Sequence, residues 1–212
     1  IKIMDMSTLN KKMVDGQIKP LNGINEKLLS IFYALDRKDF MPEKYKASAY
    51  IEKNILLEEN RVIMRPDLIA KIVINIDLKD NENVLLLGSS TGYLSAILSF
   101  LAETVIVVEE KEELLKISEN AIKYSNINNV VYFKDKISNG CISQSPFNAI
   151  IIEGSVNELP SQIINQLDTA GRLLTIISEN DRSYGKMFRK NGNILHEEWL
   201  FSCSLPILNS FK

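Results

Sequence analysis

From Asn83 onward the chain alternates short, unbroken aliphatic runs with helical stretches, and no other feature limits its fold as much. VLLLG (84–88) precedes a helical pattern over roughly 93–102, and TVIVVE (104–109) precedes another over 111–125. VVYF (130–133) and FNAIIIEG (147–154) follow, and a helical stretch over 159–168 leads to GRLLTII (171–177). A strand with one face in water alternates apolar and polar residues. A continuous aliphatic strand must be covered on both faces, as parallel strands with helical crossovers are. The expectation is α/β: a doubly wound, mostly parallel sheet. The tail changes register. YGKMFRK and ILHEEWLFSC flank Asn191-Gly192, a tight-turn pair, so the sheet is expected to end in an antiparallel hairpin.

Residues 1 to about 78 read as helical instead. Met6, Leu9 and Met13 form one stripe, and Leu28, Leu29, Phe32 and Leu35 form another within Glu26 to Leu35. Asn22-Gly23 and Pro42 punctuate them, and Pro66 opens PDLIAKIVINI as a first-turn proline should. The expected organisation is an N-terminal helical extension (1–78) packed on a sheet domain (79–212), a length of chain that can bury a sizeable core.

Several functional classes fall away on composition. Lys and Arg total 25 against 27 Asp and Glu, a net charge of −2, so no nucleic-acid partner is expected. Cys141, Cys203 and His196 are the only Cys and His residues, too few for a zinc site or a nucleophilic triad, and no metal is expected. No run approaches the roughly 18 apolar residues of a membrane span. IKIMDMSTLNKKMVDGQIK mixes charges throughout and lacks a signal-peptide core. With no disulfide framework, the expected setting is the cytoplasm.

The stretch NVLLLGSSTGYLSAIL (83–98) joins strand to helix through a turn carrying Gly88 and Gly92. Glycines there let backbone approach a ligand closely. Glu109 ends the next strand, 21 residues after Gly88, about where a nucleoside-binding fold places the carboxylate that accepts both ribose hydroxyls. The plainer alternative is an ordinary turn, with Glu110 to Glu113 serving only as an acidic helix start. A pyrophosphate loop needs a third glycine, and Tyr93-Leu94-Ser95 offers none. S-adenosyl-L-methionine carries a ribose and an adenine but no phosphate, so it suits this loop better than a nicotinamide dinucleotide.

The chain resembles the protein-L-isoaspartate O-methyltransferases. MVDGQIKPLNGI (13–24), RKDFMP (37–42) and Ala49, Tyr50, Glu52 and Leu56 follow that family's N-terminal blocks. VLLLGSSTGYLSAIL is similar to its first cofactor motif, VIVVEEKEEL to its acidic second-strand motif, and FNAIIIEGSVNELPSQIINQL (147–167) to its fourth-strand block. The resemblance implies a Rossmann-like methyltransferase sheet that binds S-adenosyl-L-methionine. It implies methyl transfer to the side-chain carboxylate of L-isoaspartyl residues in protein or peptide substrates, a repair reaction. Leu87, Gly88, Ser89, Ser90, Thr91, Gly92, Tyr93, Glu109, Glu110 and Asp135 then fall at cofactor-binding positions.

Departures from the family pattern cluster at positions the resemblance places near the site. Met64 and Arg65 stand at the catalytic hydroxyl-Gln element before Pro66; Met64 supplies no donor, and Arg65 either grips the substrate carboxylate or is solvated. Leu86 replaces an acid, Ser90 replaces a glycine, Lys134-Asp135-Lys136 keeps only the aspartate of a Gly-Asp-Gly element, and Asn148 replaces an aspartate. Three readings follow. One is an isoaspartyl methyltransferase with reduced or altered activity. Another is a non-catalytic protein of the same fold that binds a nucleoside or a protein partner. The third is a nicotinamide oxidoreductase, disfavoured by the missing third glycine.

Overall fold

A computed structural model describes residues 8–179 and 182–211, so the Met6 end of the first predicted stripe lies outside the described residues. The N-terminal third is helical only in part. Helix α1 (Thr8–Met13) runs into a π-helical turn over Val14–Ile18, and α2 (Glu26–Ala34) is started by Asn25, whose side chain accepts from the Leu28 amide. Between Arg37 and Asn60 the chain makes 3-10 turns, not a helix, and β1 (Ile55–Leu56) pairs antiparallel with β2 (Val62–Ile63). The turn between them holds Glu59 and Asn60 at positive φ, 55° and 61°. Helix α3 (Pro66–Ile76) starts at its proline as expected and stops at Asp77, whose backbone is left-handed. Arg172 donates to the carbonyls of Ile76 and Asp77 while paired with Glu82, a cation on the negative end of the helix.

The remaining elements are β3 (Asn83–Leu87), α4 (Tyr93–Ser99), β4 (Thr104–Glu109), α5 (Glu112–Tyr124), β5 (Val130–Lys134), β6 (Phe147–Val156), α6 (Ser161–Ile164), β7 (Leu167–Glu179), β8 (Arg182–Asn191) and β9 (Ile194–Cys203). The seven-stranded sheet has the order β5-β4-β3-β6-β7-β8-β9. β3 to β7 are parallel, and β8 and β9 are antiparallel additions turning at Gly192. The expected α/β sheet with its terminal hairpin is therefore present.

Strand periodicity divides the core in two. Val84, Leu86, Val105, Val107 and Ile151 face the N-terminal helices and α4, and share one apolar cluster with Phe32, Leu68 and Ile72. Leu85, Leu87, Ile106, Val108 and Ile150 face the other way, toward Ile163, Leu208 and Phe211. Both faces being dry is why these strands are aliphatic without interruption. Each such side chain contributes roughly 1.5–3 kcal/mol. The N-terminal elements thus build one wall of the same core as the sheet.

Helix α6 is much shorter than the stretch expected over 159–168. The Gln166 side chain is drawn off to the Cys141 amide (2.7 Å) and the Asn139 carbonyl (2.9 Å), and Leu167 already pairs with Phe147 in the sheet. Tertiary partners outbid the helical periodicity there.

Candidate active site

Strand order reverses at β3: β4 and β5 extend to one side and β6 to the other, so the carboxyl ends of these strands form the natural ligand crevice. Gly88 and Gly92 bracket the turn after β3 at φ 78° and 90°. At Gly92 a Cβ would come within 3.1 Å of the Ser118 backbone, so the glycine permits α4 and α5 to pack closely. The serines of the turn are not loose. Ser89 Oγ shares a hydrogen bond with Ser118 Oγ at 2.9 Å, which in turn meets the Tyr132 hydroxyl. Ser90 Oγ donates to the Val62 carbonyl at 2.7 Å, tying the turn to β2.

Glu109 ends β4 directly beside this turn and is closed to solvent. Its Oε2 accepts from the Ser89 amide at 2.9 Å and its Oε1 from the Lys111 amide at 3.0 Å. The 21-residue offset therefore becomes spatial contact. Both oxygens are also engaged by Arg61, whose Nη1 and Nη2 donate to Oε1 and Oε2 at 2.7 Å each. A Cβ on Gly88 would lie 2.9 Å from Arg61 Nη2, so the guanidinium fills the groove that the glycine leaves open. Burial works against the Arg61 charge, but the Glu109 carboxylate outweighs it and holds the guanidinium firmly protonated.

Sequence reasoning missed Arg61. The signal was present: a cation opening the apolar run RVIM, against a carboxylate terminating an otherwise aliphatic strand. Glu153 was missed as well. It ends the aliphatic part of β6, is buried, and is pushed up to about 8, first by burial, with Arg61 and Ser90 opposing that rise. Its Oε2, the Arg61 Nε and the Tyr93 hydroxyl have no hydrogen-bond partner among the described residues. Buried polar atoms of this kind carry a cost and mark a polar interior at the crevice.

Met64 is buried beneath this cluster, and its carbonyl accepts from Arg37. Arg37 is itself buried, donates to the Ala49 carbonyl at 2.8 Å, and sits 5.2 Å from the centre of the Tyr93 ring. Tyr93 also packs on Phe40 at 5.3 Å between ring centres, so the N-terminal RKDFMP block clamps the far end of the turn. Arg65 does not reach a crevice carboxylate here. Its Nε pairs with Asp67 at 2.9 Å on the first turn of α3.

Other expected site residues are less centrally placed. Leu87, Thr91 and Tyr93 are buried in or beside the turn, and Glu110 accepts from the Ser210 hydroxyl at 2.7 Å. Asp135 is exposed at the end of β5 and accepts from the Lys136 amide and the Asn139 side chain, which shapes its own turn. Leu86 lies inside β3, packed between Val107 and Ile151. Asn148 needs a correction, since it is not near the site. It lies at the start of β6, at the opposite end of the sheet, where its Oδ1 accepts from the Asn83 amide at 2.9 Å. An amide serves that strand-edge role, so this departure carries no catalytic meaning.

The residues suit a ribose. Glu109 accepts two parallel donors beside a glycine groove, the pattern a vicinal diol presents, and backbone amides fix its orientation independently of Arg61. In this structure the Arg61 fork engages both oxygens of that carboxylate. A glycine turn after the central parallel strand, with a buried carboxylate closing the next one, defines a nucleoside-binding fold of the methyltransferase class.

The chain belongs to the protein-L-isoaspartate(D-aspartate) O-methyltransferase family, whose model matches residues 8–203. That family consists of enzymes that use S-adenosylmethionine. The chain is 30% identical over 177 residues to the protein-L-isoaspartate O-methyltransferase of Dictyoglomus turgidum, covering 82% of this chain and 79% of that one. It is 23% identical over 200 residues to that of Koribacter versatilis, covering 94% and 90%. Among solved structures, one protein-L-isoaspartate O-methyltransferase superposes with a TM-score of 0.82 at 22% identity, over 93% of this chain and 65% of that chain. A second, from Plasmodium falciparum in complex with S-adenosyl-L-homocysteine, gives 0.76 at 21% identity, over 97% and 98%. At those identities the structures speak for the fold.

Proposed function

We propose that this protein methylates the side-chain carboxylate of L-isoaspartyl residues in protein or peptide substrates, using S-adenosyl-L-methionine. The observation that carries the reading is the buried carboxylate of Glu109, aligned by two backbone amides beside Gly88. When bound, the cofactor supplies a methyl group made electrophilic by its sulfonium. Glu109 would hold the ribose hydroxyls, the backbone of Leu87 to Tyr93 would lie along the nucleoside, and Glu110 and Asp135 would flank it. Met64 and Arg65 would border the substrate side. A substrate carboxylate is already ionised at pH 7, so the protein need not provide a general base. Holding partners at near-attack distance supplies roughly 7–11 kcal/mol in favourable cases. Arg37 and the Phe40–Tyr93 contact support that alignment by fixing the Met64 backbone and the end of the turn. A cytoplasmic setting accords with Cys141 and Cys203 being unpaired.

A binding-only role is favoured by one specific observation: Arg61 occupies Glu109 while Met64 offers no hydroxyl. Methyl incorporation into an isoaspartyl peptide, compared with its aspartyl isomer, separates the two. Incorporation confined to the isoaspartyl peptide is expected. Binding of S-adenosyl-L-homocysteine without incorporation would establish the binding-only role. No binding at millimolar ligand would overturn both.

A further inference from the structure

Arg61 takes up the one carboxylate that a nucleoside would need, and the surroundings of the pair are unequal. Glu109 does not depend on Arg61 for its orientation, because the Ser89 and Lys111 amides already hold both oxygens. Arg61 is less well served. Among the described residues its Nε is buried without a partner, and its side-chain bonds are the two to Glu109. Those two parallel N–H donors copy the two hydroxyls of a ribose in number and direction. They enter by the groove beside Gly88, where backbone lacks a Cβ.

Arg61 also has somewhere to go. It lines one wall of a cavity of about 290 Å³ whose other walls carry Glu58, Glu59, Glu110, Glu112 and Glu113 beside Lys44 and Lys111. A guanidinium leaving Glu109 would pass into a space bordered by five more carboxylates against two lysines, so its charge need not be stranded. The backbone immediately before it is the Glu59–Asn60 pair, both at positive φ without being glycine. Such conformations concentrate where a segment switches between arrangements.

We propose that Arg61 is an internal stand-in for the cofactor ribose: its fork holds Glu109, and nucleoside binding exchanges Arg61 out of the groove into the acidic cavity. This rests on the methyltransferase reading. It makes the site self-occupied, so the observed affinity is the intrinsic one reduced by the fraction of molecules with Arg61 displaced. The device gives a counter-charge to a carboxylate that would otherwise be buried with backbone amides alone, and it demands that a ligand bring a diol.

The test is calorimetric titration of the full chain and its Arg61→Gln variant with S-adenosyl-L-homocysteine, adenosine and methionine. Arg61→Gln should bind S-adenosyl-L-homocysteine and adenosine at least about tenfold more tightly than wild type, with no gain for methionine. Equal or weaker binding by the variant overturns the proposal while leaving the methyltransferase reading intact. In case Arg61→Gln fails to fold, nitrogen-15 NMR of the wild-type arginine side chains decides. The Arg61 Nη resonances should be resolved without ligand and should average on saturation with S-adenosyl-L-homocysteine. Binding that leaves them unchanged overturns the exchange. Absence of binding to either protein overturns the exchange and the methyltransferase reading together.

Discussion

Ser90 Oγ donates to the Val62 carbonyl at 2.7 Å, so the residue that breaks the glycine pattern of the turn is the one that fastens it to β2. Val62 follows Arg61 directly, and the bond therefore connects the turn to the strand that delivers the guanidinium. A glycine at this position makes no such link. The serine and Arg61 therefore act in one local structure.

Ser90→Ala should destabilise the protein by about 1 kcal/mol, the usual net worth of a hydrogen bond, with a buried carbonyl left unpaired pushing the cost higher. In a chain of this size that lowers Tm by roughly 2–4 °C. Thermal unfolding followed by circular dichroism checks it, and an unchanged Tm would mean that the bond contributes nothing.

The Arg61–Glu109 pair should behave as buried ion pairs do. Glu109→Gln leaves a buried guanidinium without its anion and should cost roughly 3–5 kcal/mol. Replacing both partners, as in Arg61→Met with Glu109→Leu, should restore most of that loss, since matched apolar side chains need no mutual charge. Urea unfolding of the single and double variants measures the difference. A double variant as unstable as the single would refute the account.

Glu153 should give the stability curve a slope. Its carboxyl titrates at about 8 in the folded protein instead of 4.5, so the native state keeps a proton that the unfolded chain releases. Its contribution is therefore complete below pH 4.5, falls by up to about 1.4 kcal/mol per pH unit as pH rises, and levels off above 8. Burial drives the rise in its pKa; of the groups that face Glu153, Arg61 and Ser90 oppose it and Glu109 adds to it. Glu153→Gln lacks the titration, so its stability relative to wild type should grow between about pH 5.5 and about pH 7.5. Parallel unfolding curves across that window would contradict the assignment.

Met64→Ser restores a hydroxyl beneath the crevice. The lost packing should cost roughly 2–5 kcal/mol of stability. A hydrogen bond to a charged carboxylate is worth about 1.5–3 kcal/mol, so methyl incorporation into an isoaspartyl peptide should rise about tenfold or more. Activity no higher than wild type, in a variant that remains folded, would show that Met64 does not limit the reaction.

The parallel sheet, its terminal hairpin and Glu109 were legible in the amino-acid order. Unbroken aliphatic runs, Asn-Gly turn chemistry and the spacing from Gly88 are local properties that survive in one dimension. The region 37–60 was not legible, because its 3-10 turns and short strand pair are held by partners far along the chain, such as the bond from Asn60 to the Ile207 carbonyl. Asn148 was placed near the site by the resemblance alone; its position at the start of the 147–154 run already pointed to the other end of the strand. Above all, the sequence places Arg61 and Glu109 48 residues apart with nothing to join them. Only folding, which brings β2 across the mouth of β3 and β4, makes one the ligand of the other, because a buried carboxylate takes whatever donor the packing delivers.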